Sequence, residues 1–344
     1  MRRTTRSAAL LCAAALLLSA CGGTTEEAGD GGSGSDSEVK VGMAYDVGGR
    51  GDQSFNDSAA AGLDKAAQQF GMATQESEAK DGEAESAREE RLRTFADAGY
   101  DPIVAVGFAY SDAVKKVSKE YADVHFAIID DEGATGDNVA NLVFAEEQGS
   151  FLVGAAAALK TKQNHIGFIG GVETPLIAKF QAGYAAGAKA VKPGIKIDVT
   201  YLTQPPDFSG FGDPAKGKTA AQGMYDGGAD IIYHAAGGSG GGVFEAASAS
   251  KAKAIGVDSD QYKTADPSVR DVILTSMLKN VDVAVYEYLT QVDEGTFPSG
   301  TTRYDLESGG VGYSTSGGQV DDITDRLDDY EKKIVDGSIA VPTS

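Results

Sequence analysis

Three acidic residues directly follow short apolar runs and could bind a polar ligand. Asp46 follows the run 39–45, Asp130 follows 125–129 and Asp258 follows 254–257. An ionised carboxylate only accepts hydrogen bonds, so it suits a ligand that presents hydroxyl or N–H groups. Lys279 stands just beyond a fourth run, 272–275, and could donate to the same ligand. These residue types suit a polyhydroxylated molecule.

A glycine-rich segment, 237–242, contains the pattern G-x-S-x-G around Ser239. In the hydrolases that use this pattern, the catalytic residues follow the order serine, acid, histidine. All three histidines of this chain (His125, His165 and His234) precede Ser239. We therefore expect a glycine-rich loop whose backbone amides, at Gly237 and Gly238, can approach a ligand.

Other signatures of catalysis or cofactor binding are missing from the sequence. The chain contains neither G-x-x-x-x-G-K-[ST] nor a G-x-G-x-x-G that opens a helix with an acid about 20 residues later. Its histidines are too far apart in sequence to indicate a zinc site. The sequence therefore predicts a protein that is not an enzyme and holds no metal or cofactor.

The composition is strongly acidic. The formal net charge is −21, and loss of Arg2, Arg3 and Arg6 with a cleaved leader would take it to −24. A nucleic acid would be repelled by such a surface, and no basic cluster with interleaved aromatic residues opposes this. We expect no nucleic-acid partner.

The first 37 residues have the pattern of an exported, lipid-anchored protein. Residues 1–20 contain arginines followed by a short apolar run, as in a signal peptide. Cys21 follows Leu-Ser-Ala, which resembles the lipobox of bacterial lipoproteins, so we expect its thiol to be acylated. Residues 22–37 are almost entirely small or polar and predict a flexible tether. This places the protein on the outer face of the cell membrane.

The remaining 300 or so residues exceed what one core usually holds, so two lobes are expected. Short apolar runs alternate with segments of helical period, which predicts an α/β protein with parallel sheets. The predicted strands are 39–45, 103–106, 125–129, 165–169, 197–201, 231–234, 254–257 and 272–275. Helical stretches lie between most of them, for example at 58–69, 87–98, 111–121, 151–160, 176–191, 215–226 and 243–250. Ligands of such sheets bind beyond the carboxyl ends of the strands.

Several segments together resemble the basic membrane protein (BMP) family of substrate-binding lipoproteins, which includes purine nucleoside receptors. They are Asp46 with Asp52-Gln53-Ser54-Phe55-Asn56, Glu147-Gln148-Gly149-Ser150-Phe151, Ile166-Gly167-Phe168-Ile169-Gly170-Gly171, Pro175 with Phe180, Gly183-Tyr184 and Gly187, Gly256-Val257-Asp258, and Ser276-Met277 with Lys279. Each segment is short, but their order and spacing are specific. The resemblance covers the whole mature domain.

The resemblance implies a type I periplasmic-binding-protein fold. Two doubly wound, parallel-sheet lobes would be joined by three crossovers, with a ligand cleft between them. The first lobe would comprise residues 38–144 and about 279–292, and the second 145–278 and about 293–344.

The resemblance also implies roles for individual residues. Phe55 and Phe180 would stack on the two faces of a purine base, and Asn56 with Asp130 would bind its edge. Asp258 and Lys279 would bind sugar hydroxyls, with the lysine balancing the aspartate, and Asp46, Gly237 and Gly238 would complete that polar end. Since Asp131 follows Asp130 directly, the sequence leaves open which of the two faces the cleft.

The implied function is capture of a purine nucleoside by a monomeric protein that delivers it to the permease and ATPase of an ABC importer. Two alternatives stay open at this point. The ligand could be a sugar or sugar-like signal, and the protein could report a ligand to a membrane partner without transport.

Overall fold

Two six-stranded sheets organise the computed structural model, which describes residues 39–344. The first sheet contains β1 (Lys40–Tyr45), β2 (Ala73–Glu78), β3 (Ile103–Val106), β4 (Phe126–Ile129), β5 (Val139–Phe144) and β11 (Gly300–Tyr304). The second contains β6 (His165–Val172), β7 (Lys196–Thr203), β8 (Ile231–Ala235), β9 (Lys253–Asp258), β10 (Ile273–Lys279) and β12 (Val311–Tyr313). The predicted leader, Cys21 and the tether lie outside the described residues.

The two sheets have the same strand order. It is β11-β5-β4-β3-β1-β2 in the first and β12-β10-β9-β8-β6-β7 in the second. All pairings in the first sheet are parallel, and in the second only β12 is antiparallel to its neighbour β10. The expected architecture of two doubly wound lobes is thereby confirmed.

Helices cover both faces of each sheet. They are α1 (Phe55–Phe70), α2 (Glu85–Asp97), α3 (Ser111–Glu120), α4 (Glu146–Lys160), α5 (Pro175–Val191), α6 (Pro214–Asp226), α7 (Gly240–Ser250), α8 (Gln261–Thr264), α9 (Val281–Asp293) and α10 (Thr324–Val335). Because both faces are covered, the central strands are apolar and buried along their length, as β3, β4 and β5 are. Among residues 39–344, no helix is long and apolar enough to span a membrane.

The chain passes between the lobes three times: from β5 to α4, from β10 to α9, and from β11 to β12. The expectation that everything after about residue 292 belongs to the second lobe is wrong for one segment. Strand β11 pairs with β5 and extends the first sheet. Four of its five residues are exposed, so it lacks the buried apolar pattern by which a strand is recognised in sequence.

Close packing between α4 and α5 explains the small residues of the second lobe. A side chain at Gly154 would collide with the backbone of Tyr184, and one at Gly187 would collide with the backbone of Phe151. The alanine-rich face of α4 permits the same close approach. This contact fixes α5, and with it Phe180, relative to the second sheet.

Candidate ligand-binding site

A cavity lies between the carboxyl ends of the two sheets. Eight of the nine residues predicted to bind a ligand line it: Asp46, Phe55, Asn56, Asp130, Phe180, Gly237, Asp258 and Lys279. Gly238 is not among the lining residues; a side chain there would approach Phe211 and Asp52 instead.

Lys279 is the centre of a buried ionic cluster. Its Nζ lies 2.6 Å from Asp130 Oδ2 and 3.2 Å from Glu146 Oε1, and its side chain is 1% exposed. Burial opposes the ammonium charge, but the three nearby carboxylates Asp130, Glu146 and Asp258 outweigh burial and raise the pKa of Lys279 above its usual value. The lysine therefore stays protonated, and it joins the second lobe to Asp130 of the first.

This arrangement differs from the expected pairing of Lys279 with Asp258. The direct partners of Lys279 are Asp130 and Glu146, and Glu146 is a residue that sequence reasoning missed. Burial raises the pKa of Asp130 to about 6, while the ammonium opposes the rise. Asp130 Oδ1 is buried and has no hydrogen-bond partner among residues 39–344, so it is available to accept from a ligand.

The ambiguity between Asp130 and Asp131 is resolved by their hydrogen bonds. Asp131 Oδ2 accepts from the backbone N–H of Ala134 at 2.6 Å and so stabilises a turn. Asp130 has a positive φ of 67°, which rotates its side chain toward the cavity at the end of β4. Asp258 occupies the same place at the end of β9, with a φ of 63°. Non-glycine residues in this region are costly and cluster at functional sites.

Aromatic rings from both lobes form the apolar walls. Phe55 is the first residue of α1, and Phe180 lies in α5, whose start is fixed by Pro175 and the Thr174 cap. The ring centroids of Phe55 and Phe180 lie 5.1 and 5.5 Å from Lys279 Nζ. Two aromatic residues that sequence reasoning missed, Phe108 and Phe211, also line the cavity.

Asn56 is largely engaged within the first lobe. Its Oδ1 accepts from Asp46 N at 3.1 Å, and its Nδ2 donates to Asp52 Oδ2 at 3.1 Å. One amide hydrogen is left for a ligand. Asp52, another cavity residue that sequence reasoning did not select, also accepts backbone N–H groups at the start of α1. These bonds hold the loop after β1 in shape before any ligand arrives.

The remaining acids of the cavity are buried and easily protonated. Burial raises the pKa of Asp258 to about 7, against the lowering effect of Lys279 and of the Ser54 hydroxyl. Burial likewise raises the pKa of Asp46 to about 6. Four carboxyl groups but only one ammonium line the cavity. Such a site favours a ligand that donates hydrogen bonds and carries no negative charge.

No group of three or more potential metal ligands is arranged to hold an ion anywhere in the range 39–344.

Comparison with known proteins gives one consistent family. Residues 39–344 match the Bmp family, described as ABC transporter substrate-binding protein PnrA-like. A CD4+ T-cell-stimulating antigen of Listeria monocytogenes is 39% identical, covering 90% of this chain and 89% of that protein. The ABC transporter nucleoside-binding protein BmpA of Lactococcus lactis is 35% identical, covering 89% and 90% respectively. A solved ABC transporter solute-binding protein from Aeropyrum pernix has a TM-score of 0.78 at 29% identity, covering 89% of this chain and 94% of that one.

Proposed function

Because the chain belongs to the Bmp family of PnrA-like ABC transporter substrate-binding proteins, we propose that it binds a purine nucleoside in the interlobe cavity for an ABC importer. The family consists of extracytoplasmic solute-binding proteins rather than enzymes, in agreement with the lack of catalytic signatures in the sequence. The partners of a substrate-binding protein of this family are a small ligand and the transporter subunits. The nucleoside is the specific part of the proposal.

The observation that carries the proposal is the pair of phenylalanines from opposite lobes beside an unpartnered carboxylate oxygen. Phe55 and Phe180 offer aromatic faces, and stacking contributes about 1–3 kcal/mol per base. Asp130 Oδ1 can accept from a base N–H, and Asp258 can accept from ribose hydroxyls. A nucleoside combines these features in one molecule, whereas a sugar would leave one aromatic wall unused.

The charge of the cavity supports a nucleoside rather than a nucleotide. A phosphate group would meet the carboxyl groups of Asp46, Asp52, Asp130 and Asp258 with one ammonium to offset them. Repulsion between buried like charges is strong because the effective dielectric constant is low. The name of the Lactococcus lactis relative, ABC transporter nucleoside-binding protein BmpA, is consistent with this choice.

A thermal-shift screen of residues 38–344 tests the ligand class, since a ligand that binds only the folded state raises the melting temperature. Inosine, guanosine or adenosine should raise it, while inosine monophosphate, free ribose and hexoses should not. Phe180→Ala should abolish most of the shift without preventing folding. A shift by sugars but not by nucleosides would contradict the proposal.

We also propose that Cys21 carries the lipid anchor that holds the receptor at the outer face of the membrane, on the strength of the lipobox resemblance. Metabolic labelling with an alkyne fatty acid should mark the wild-type chain and not Cys21→Ser. Equal labelling of the wild type and Cys21→Ser would show that the lipid is not attached to Cys21.

A further inference from the structure

The loop before α1 leaves the side chain of Ser54 free to act across the cleft. Ser54 stands at the N-cap of α1 but makes no capping bond. Asp52 replaces it, accepting from the backbone N–H groups of Ser54 and Asn56 at 2.9 Å and of Asp57 at 3.1 Å. A serine at this position ordinarily caps its own helix. Here the hydroxyl is available for another partner.

That partner is the second lobe. Ser54 Oγ, fully buried, donates to Asp258 Oδ2 at 2.5 Å. Three further hydrogen bonds cross between the same segments: Ser54 Oγ also donates to Val257 O at 3.4 Å, Ser259 Oγ donates to Ser54 O at 3.1 Å, and Gln261 Nε2 donates to Gln53 O at 3.0 Å. The lobes are therefore held together at one edge of the cavity by a short segment from each.

Gln261 is positioned by its own lobe for this contact. Its Oε1 accepts from Val257 N at 2.9 Å, and its backbone N–H donates to Ser276 Oγ at 3.1 Å. Gly256 makes room for it, since a Cβ at Gly256 would lie 2.6 Å from Gln261 Oε1. With Oε1 fixed in this way, Nε2 points at the first lobe. The side chain is 2% exposed and needs no rearrangement to reach Gln53.

We propose that Gln53 and Ser54 of the first lobe, with Asp258, Ser259 and Gln261 of the second, form a closure latch, in which Ser54 and Gln261 are positioning residues. The latch rests on the proposed function, because it assigns these bonds a role in closing the cleft over a ligand. Asp258 belongs both to the cavity wall and to the latch. Ligand contact with its carboxyl group is thereby coupled to the bond that holds the lobes together.

The latch can be tested by single-molecule energy transfer between dyes on the two lobes. Residues 38–344 form one compact unit and contain no cysteine, so Asp81→Cys and Ala215→Cys, on either side of the groove between the lobes, accept the labels. The test variants are Gln261→Glu and Ser259→Ala. Gln261→Glu keeps an acceptor for Val257 N and replaces the donor that crosses the cleft by a carboxylate oxygen, which repels the carbonyl oxygen of Gln53.

Both variants should shift the ligand-free population toward the open, low-transfer state. With inosine as the probe, they should also raise its dissociation rate about tenfold, the factor expected for loss of one buried hydrogen bond. Ser58→Ala is the matched control, because Ser58 Oγ accepts from Asp282 N within the first lobe. It should leave the open and closed populations as in the wild type.

The open and closed populations measured without ligand test the latch independently of which ligand the protein binds. If both variants open while inosine binds to no form of the protein, the latch stands and the nucleoside assignment fails. If Gln261→Glu and Ser259→Ala keep the closed population of the wild type, the latch is overturned, whatever inosine does.

Discussion

At the scale of single residues, burial decides the protonation of the site. Burial raises the pKa of Asp258 to about 7 and that of Asp46 to about 6, from 3.8 in an exposed chain. A group with a raised pKa favours the folded state when it is protonated. Its contribution to the free energy of unfolding is complete below the unfolded pKa and is lost as the pH rises through the folded pKa.

The ligand-free protein should therefore lose this stabilisation between about pH 4 and 7, with Asp258 as the largest single contributor. Asp258→Asn removes the largest of these titrations. As the pH is raised across this window, the melting temperature of the variant should therefore fall less than that of the wild type. The difference between the two proteins cancels the contribution of other titrating groups, such as His234, whose pKa burial lowers to about 4. If the melting temperatures of both proteins change equally with pH across this window, the raised pKa of Asp258 would be contradicted.

Most of the candidate site could be predicted from the residues at the ends of the predicted strands. Asp46, Asp130, Asp258 and Lys279 each end or follow a strand that the apolar pattern reveals, so the edge of the sheet brings them together. Glu146 was missed because it follows β5, which was not recognised as a strand. The walls formed by Phe108 and Phe211 depend on loop paths and lobe contacts that no local pattern contains.

At the scale of elements, each predicted strand and helix overlaps an observed one, but four strands were missed, β2, β5, β11 and β12, and three helices were not among the examples given, α8, α9 and α10. Strand β2 reads Ala-Thr-Gln-Glu-Ser-Glu and lies exposed at a sheet edge, where its register with β1 supplies the pairing that its own residues do not reveal. Edge elements of this kind are selected by tertiary context rather than by local preference.

Substitution of glycines within helices tests the packing of α4 against α5. Gly187→Ala would drive a methyl group into the backbone of Phe151 and should destabilise the protein by about 1–3 kcal/mol. Gly223→Ala in α6 is the matched control, because a side chain there meets nothing within 4 Å. The control should stabilise the protein by about 0.5–1 kcal/mol through helix propensity. Urea denaturation of both variants measures these changes, and a neutral Gly187→Ala would show that the helices are less tightly packed.

At the scale of the whole molecule, the two lobes place complementary halves of one site. The first lobe contributes Phe55 and Asp130, and the second contributes Phe180, Asp258 and Lys279, so neither lobe alone can enclose a ligand. The ion pair between Lys279 and Asp130 and the proposed latch both cross the cleft. Ligand binding and lobe closure are thus expected to be a single cooperative event, which suits a protein that presents its loaded form to a transporter.

Nucleoside binding is tested most directly by isothermal titration calorimetry of inosine into residues 38–344, after unfolding and refolding to remove any ligand carried from the cell. One inosine per chain should bind saturably, with a negative heat-capacity change from closure over the base, and Phe180→Ala should lose the heat of binding. Absence of heat with inosine, guanosine and adenosine from a refolded protein that still binds a sugar would contradict nucleoside binding.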